Sequence, residues 1–342
     1  MLSWISTLFS RPPPPGPELP SRLLHPGRGA PPPETDLEPA LHKLEEHLFS
    51  WILDTNPAQL EKPALHGNLI LPELETRIME GKLEELPRQP MTLPMLLRGL
   101  SDENTDRSKL SKIILGDPAL TDQLLQVVNS PFFRTGEQTI ESVDQAIFII
   151  GIDGIRSVIS ASLLRPMLAA RNSSEALFAQ RVWRWGLTCA RSAEMIARLH
   201  GQDTNAFFMV GLFPALSYMT LRREVQRLYL VRLPSTEVEP QVICEALKRY
   251  DWKAAQLLAN DWALPPRFVA QLLTAERPTP GEQHTPLNDG IILGTREVLR
   301  HAHQRNLPEE ELRQVIQLTD QEFDRVRPAI AAMLKEGDPR SH

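Results

Sequence analysis

The chain has few of the features that mark several common protein classes. It holds two cysteines, Cys189 and Cys244, in 342 residues, and neither sits in a CxxC or other metal-ligand spacing. A disulfide framework is therefore not expected. Two isolated thiols suit a reducing compartment and read as small buried apolar side chains. Basic residues are outnumbered: 37 Lys and Arg stand against 43 Asp and Glu, a formal net charge of -6. A protein whose main task is to grip nucleic acid usually carries the opposite balance. No apolar run approaches the roughly 20 residues that cross a bilayer, and the longest comparable one, Ala146 to Ile152, is far shorter. The first residues lack a basic segment and run straight into prolines, so a secretory signal is not expected and the predicted location is cytoplasmic. Aromatics make up 6%, and no turn dipeptide is flanked by alternating apolar residues, which argues against a sandwich or barrel.

What the chain does have is amphipathic helical patterning with 42% hydrophobic residues, enough for a large core. The first 40 residues are an exception, holding 11 of the 31 prolines. Proline fixes φ and lacks an amide donor, so residues 1–36 are expected to be an extended leader without helix or sheet. The opening decapeptide MLSWISTLFS could bring Leu2, Trp4, Ile5, Leu8 and Phe9 to one side of a short helix, so membrane contact is expected through residues 1–10 or not at all. From Asp36, a plausible N-cap, Leu37, Leu41, Leu44, Leu48 and Ile52 recur at helical spacing. A second helix is predicted from Pro72 to about Glu84, giving a helical extension over 37–85. A chain of amphipathic helices fills 86–277. C-terminal helices over 284–336 are predicted from about Leu287 to Arg305, after Pro308, and from Thr319-Asp320 to about Leu334. Whether these form a lid or a dimer contact is not decided by the sequence.

Four segments carry the most information: LPRQPMTLPMLLRGL (Leu86–Leu100), KIILGDPALTDQLLQVVNSPFF (Lys112–Phe133), TIESVDQAIFIIGIDGIRSVI (Thr139–Ile159) and GLFPALSYMTL (Gly211–Leu221). In the second, Asp117 is placed to cap a helix whose first residue is Pro118. Leu120, Leu124 and Val128 face a core, and Asn129-Ser130-Pro131 ends the helix, Asn129 because it tolerates left-handed backbone. In the third, Ala146, Ile149 and Ile150 pack, and Gly151 allows a tight turn between helices. Taken as a pair, the second and third segments resemble the HD-related output domain (HDOD) family of bacterial signalling proteins, over roughly residues 86–277. The resemblance implies an all-α, multi-helix bundle that is a degenerate relative of the HD phosphohydrolase fold, with a regulatory rather than catalytic role. It implies signalling proteins as partners and no cofactor. Asp117, Pro118, Asn129, Ser130 and Gly151 then read either as caps and turns or as residues near a partner contact.

The HD hydrolases that this family resembles hold divalent metal between His and Asp side chains, and the metal polarises phosphate and activates water. None of the nine histidines here is followed by Asp. Where the family's fourth segment reads GLLHDIG, this chain has Pro214 and Ala215, which carry no ligating atom. The stretch Trp183-Arg184-Trp185-Gly186 and the helix LPPRFVAQLLTAE (Leu264–Glu276) also lack the histidines often found there. His301 and His303, two apart, would point to different faces of a helix.

The expected function is thus a non-catalytic regulatory module acting through protein contacts. The alternatives are an HD-type metal phosphohydrolase with unusual ligands and, further off, a helix-turn-helix DNA binder over Leu110–Val128. The putative recognition helix of the latter, DPALTDQLLQVV, has Asp117 and Asp122 but no Lys or Arg, where a reading helix normally carries basic or amide side chains.

Overall fold

The computed structural model describes residues 37–94, 107–130, 132–133, 138–276 and 283–336. The apolar decapeptide, the proline-rich leader, the Asp36 cap, Pro131 and the second half of the Leu86–Leu100 segment lie outside the described residues. Among the described residues there is no strand. The described residues form 14 α-helices: α1 Leu37–Ile52, α2 Pro57–Leu60, α3 Gly67–Met79, α4 Arg107–Leu115, α5 Pro118–Val128, α6 Val143–Leu164, α7 Ser173–Leu199, α8 Thr204–Gly211, α9 Phe213–Arg232, α10 Pro240–Asp261, α11 Pro266–Thr274, α12 Pro286–His301, α13 Glu309–Val315 and α14 Asp320–Glu336. A short 3-10 turn, Arg165–Leu168, joins α6 to α7.

The helix boundaries follow from local chemistry. Asn56, Asp117, Ser142, Asn172, Asp203 and Thr285 each accept a hydrogen bond from a first-turn amide that has no partner inside the helix. Proline opens α2, α5, α10, α11 and α12, where its missing N–H is no loss. Five of the described helices end alike. Asp54, Gly81, Gly201, Ala263 and His303 take positive φ, and the following N–H reaches back five residues, as in Leu264 N to Ala259 O at 3.1 Å and Gln304 N to Leu299 O at 2.9 Å. His303 is therefore a cap beyond the helix, and α12 stops at His301 rather than Arg305. At Ala263, with φ of 45°, the side chain strains the backbone. Ala263→Gly is expected to stabilise the fold by about 1 kcal/mol, read as a higher urea midpoint.

Two other expectations are corrected. Helix α3 begins at Gly67, not Pro72, and carries Pro72 inside it. Proline there removes only one bond near the helix start, and Thr76 Oγ1 donates to the Pro72 carbonyl at 2.9 Å. The stretch Thr204–Arg232 is also long and apolar enough by composition to cross a bilayer, although 89% of its most apolar window is buried inside the fold. Its apolar run Ala206–Leu216 is longer than Ala146–Ile152. It forms two core helices, α8 and α9.

Residues 35–342 form one compact unit around α7. Helix α12 meets α7 backbone to backbone. A Cβ on Gly290 would stand 2.7 Å from Ala193 Cα, and one on Gly294 would stand 2.7 Å from Cys189 Cα. The two glycines are one helical turn apart, as are Cys189 and Ala193, so two small-residue faces meet along one seam. On another side, a Cβ on Gly211 would meet Ala190 Cα at 2.7 Å. Both cysteines are buried and unpaired. Burial pushes the Cys189 thiol far up and the Cys244 thiol up to about 11, so both stay protonated at neutral pH.

Buried and half-buried carboxylates fasten the elements to one another. Glu224 accepts the Glu85 N–H at 2.7 Å and lies 3.6 Å from Arg77. Glu239 accepts the Leu65 and His66 amides at 3.0 and 2.9 Å and the Tyr229 hydroxyl at 3.0 Å. These two residues tie the N-terminal extension to α9 and α10. Glu297 is surrounded by Arg296, Arg300 and Arg327, and Arg327 ties α14 to α12.

Candidate functional site

Helices α4, α5 and α6 place the residues of the second and third segments. Asp117 Oδ1 accepts the Leu120 N–H at 3.1 Å, and Pro118 is the first residue of α5. Leu120, Leu124, Val127 and Val128 are buried. Asn129 is a cap of a different kind from the one expected. Its backbone is right-handed, φ -84°. Its side chain acts as a clamp: Nδ2 donates to the Leu125 and Ile140 carbonyls at 2.8 Å each, and Oδ1 accepts the Ile140 N–H at 2.8 Å. Ser130 Oγ donates to Val127 O at 2.5 Å. Asn129→Leu would strip both partners from the Ile140 backbone and is expected to cost about 1–3 kcal/mol, measured by urea unfolding. Gly151 has φ 80° and ψ 174° and kinks α6, as a tight turn requires. The residues before it are only partly as expected. Ala146 is buried, but Ile149 is exposed, and Phe148 beside it is 77% exposed.

The fourth segment lies elsewhere, on α9, where Pro214 lines a cavity of about 480 Å³. Ala215 faces α7, and a Cβ on Gly186 would stand 2.6 Å from the Ala215 Cβ. The two positions that the sequence marks as departures from an HD site therefore meet in space, and small residues close the gap between them. Beside them the cavity is floored by aromatic rings. Trp185 stacks on Tyr218 with centroids 4.6 Å apart, and Trp185 Nε1 donates to Thr295 Oγ1 at 2.8 Å. Helix α1 supplies a wall with Leu41, Leu44 and Leu48. Helix α10 adds Trp252, Asp251 and Ala255, and α12 adds Asn288, Ile291 and Ile292. Asn288 is held in place, donating to Ala275 O at 2.9 Å and accepting from the Thr285 N–H at 2.8 Å.

This donor set does not fit a hydrolytic metal. Pro214, Ala215 and Gly186 offer no side-chain ligand, and the cavity floor is indole and phenol, whereas such sites need three or more His, Asp or Glu around one point. Among the described residues, no three His, Cys, Asp or Glu side chains gather in that way. Four histidines each meet one carboxylate, at separate places: His42 with Glu46 at 3.0 Å, His66 with Glu239 at 3.3 Å, His200 with Glu322 at 3.1 Å and His284 with Asp289 at 2.7 Å. Asp289 also accepts the Gln317 N–H at 3.1 Å, so it serves as a link between α12 and the segment after α13.

Sequence reasoning located Pro214 and Ala215 but not the aromatic floor or the part played by α1 and α12. The spacing Gly290–Gly294 was a usable signal for α12, since two glycines one turn apart in a helix mark a close neighbour.

Comparison with known proteins agrees with this geometry. A sequence model of the HDOD domain matches residues 86–278. No curated protein matches the chain. Among solved structures, the chain is similar to a Shewanella amazonensis protein described as a candidate metal-dependent phosphohydrolase, with a TM-score of 0.57 and 14% identity over 80% of this chain and 100% of that one. It is similar to an HDOD domain protein of unknown function from Geobacter sulfurreducens, with a TM-score of 0.52 and 17% identity over 78% and 99% of the two chains. A second Shewanella amazonensis protein, described as a candidate phosphohydrolase, gives 0.55 and 17% over 76% and 98%. At these identities the likeness is one of fold. The HDOD match takes in more than half of the chain, including the capped α5 and the kink at Gly151, and the chain therefore belongs to the HDOD family.

Proposed function

We propose that the protein is a non-catalytic regulatory module of bacterial signal transduction, acting in the cytoplasm through contact with a signalling protein. One observation supports the non-catalytic half: the positions that the resemblance assigns to HD ligands hold Pro214 and Ala215, which carry no ligating atom, and Ala215 is packed closely against Gly186. Without a ligand set there is no means to polarise a phosphate or to make hydroxide from water. Two buried, unpaired thiols support a reducing compartment.

The contact half is supported by the exposed pair Phe148 and Ile149, next to the Gly151 kink in α6. Adjacent large apolar side chains left in water favour a partner that covers them. Nucleic acid is not favoured, because α5 presents no Lys or Arg. Phe148→Asp tests the contact. The variant is expected to keep its stability within about 0.5 kcal/mol and to lose the partner that the wild-type chain captures from native cytosol, read by quantitative mass spectrometry. Retention of that partner by Phe148→Asp would remove this surface from the account.

A further inference from the structure

The cavity beside Pro214 has the size and lining of a ligand site rather than of a packing defect. Protein interiors are close-packed, and voids much larger than a water molecule are few. Small-molecule sites occupy roughly 300–1,000 Å³ and are mostly apolar with a few placed polar groups, and this cavity measures about 480 Å³. Its rings are fixed: the Trp185–Tyr218 stack is held by the Thr295 bond. Its polar groups are few. Thr295 accepts from Trp185 and its hydroxyl also bonds Cys189, so it is held within the fold, while Ser217 donates to Pro214 O at 2.8 Å, which leaves lone pairs on Oγ.

Charge narrows the class. No Lys or Arg lines the cavity; its titratable lining is His42, whose Nε2 is taken up by Glu46 at 3.0 Å, and the carboxylates of Glu45 and Asp251. An anion entering an apolar chamber needs a cation or several amide donors to replace its water. Here it would meet indole, phenol and like charge instead, so phosphate esters and carboxylic acids are disfavoured. A flat or branched apolar molecule that is neutral or cationic is matched by stacking on the rings and, for an amine, by cation–π contact with them.

We infer that the cavity beside Pro214 is a binding site for a small apolar molecule without negative charge, the size of a bicyclic aromatic, set between α1, the HDOD helices and α12. Because α1 forms one wall through Leu41, Leu44 and Leu48, occupancy fastens the N-terminal extension to the core. The site does not depend on the partner surface near Phe148.

Three probes of similar shape test it on the full chain by calorimetric titration: indole, tryptamine and indole-3-acetate. Indole and tryptamine are expected to bind saturably in the millimolar range or tighter, and indole-3-acetate at least about tenfold more weakly. Two variants on opposite walls check the location. Leu41→Trp narrows the cavity from α1, and Ser217→Leu fills it from α9. Each is expected to weaken tryptamine by about tenfold or more, with helical content by circular dichroism preserved. Leu41 is half-buried on the outer wall, so that variant keeps the test open if Ser217→Leu does not fold. Absence of saturable binding by indole and tryptamine, equal binding of all three probes, or affinity unchanged in a folded variant would overturn the inference.

Discussion

Replacing Glu175 with leucine is expected to destabilise the protein by about 3–5 kcal/mol, the cost of leaving a buried charge without its partner. Glu175 is the hub of a closed ionic cluster at the start of α7. Its Oε2 lies 3.2 Å from Arg223 Nη2 and accepts the Arg171 N–H at 3.0 Å, and Arg222 approaches it at 3.6 Å. Arg223 is itself buried and donates to the Met167 and Ala169 carbonyls at 3.0 and 2.8 Å, which pins the 3-10 turn to α9. The double variant Glu175→Leu/Arg223→Met is expected to recover much of the loss, because it removes both charges together. Urea unfolding of the two single variants and the double variant measures the coupling. Additive losses would show that the pair is not a unit.

The same cluster sets a pH dependence. Burial alone pushes the Glu175 carboxyl up, but the Arg171 amide and the Arg223 guanidinium outweigh it and hold it below the ordinary carboxylate range. Burial likewise pushes Glu239 up, and the His66 and Leu65 amides bring it below. A lowered folded value means that stability is present above the unfolded carboxylate range and is lost as pH falls through the lowered values. Glu224 has the opposite sign: burial holds it above its ordinary value, so protonation relieves part of its cost. The net expectation is a loss of stability on acidification that Glu175→Gln makes shallower, read from unfolding midpoints across the acid range.

The second large effect is at the seam between α7 and α12. In an ordinary exposed helix, Gly to Ala stabilises by up to about 1 kcal/mol. At Gly290 and Gly294 the sign is expected to reverse. A methyl on Gly290 would stand 2.6 Å from the Ala193 nitrogen, and one on Gly294 would stand 2.9 Å from the Cys189 nitrogen, with backbone rather than a flexible side chain in the way. The helices must separate, at a cost of about 1–3 kcal/mol for each alanine. Gly290→Val adds bulk and is expected to exceed this range. Trp185, which donates to Thr295 on α12, reports the separation as a red shift of its fluorescence. A stabilised Gly290→Ala would contradict the close approach.

Much of the helical framework was legible because short-range chemistry decides it. Asp117-Pro118 and the acidic run Glu309 to Glu311 after Pro308 mark helix starts by capping, by proline and by charge in the first turn, and the structure places starts there. Pro72 misled for the same reason: a proline in the second turn costs little, so it does not mark a start. Asn129 was read as a turn residue, but its service to Ile140 spans 11 residues, and no local rule gives that contact. Ile149 follows a helical apolar pattern, yet the kink at Gly151 turns it out to solvent. Pro214 and Ala215, which the resemblance sets where HD ligands would stand, were visible as residue types. The chamber beside them was not, because Leu41, Trp185, Tyr218 and Thr295 are brought together from four helices far apart in the chain.

The central claim, that the vacated HD site supports no metal chemistry, is tested most directly by measuring metal and turnover on the same preparation. The full chain would be produced with manganese and iron supplied, its metal content determined by mass spectrometry, and phosphomonoester and phosphodiester hydrolysis assayed with Mn²⁺ present. The expected result is far less than one metal per chain, with hydrolysis no faster than that of a heat-denatured control. One metal per chain, together with turnover that Pro214→Trp abolishes in a folded protein, would contradict the account and restore this site to the hydrolases.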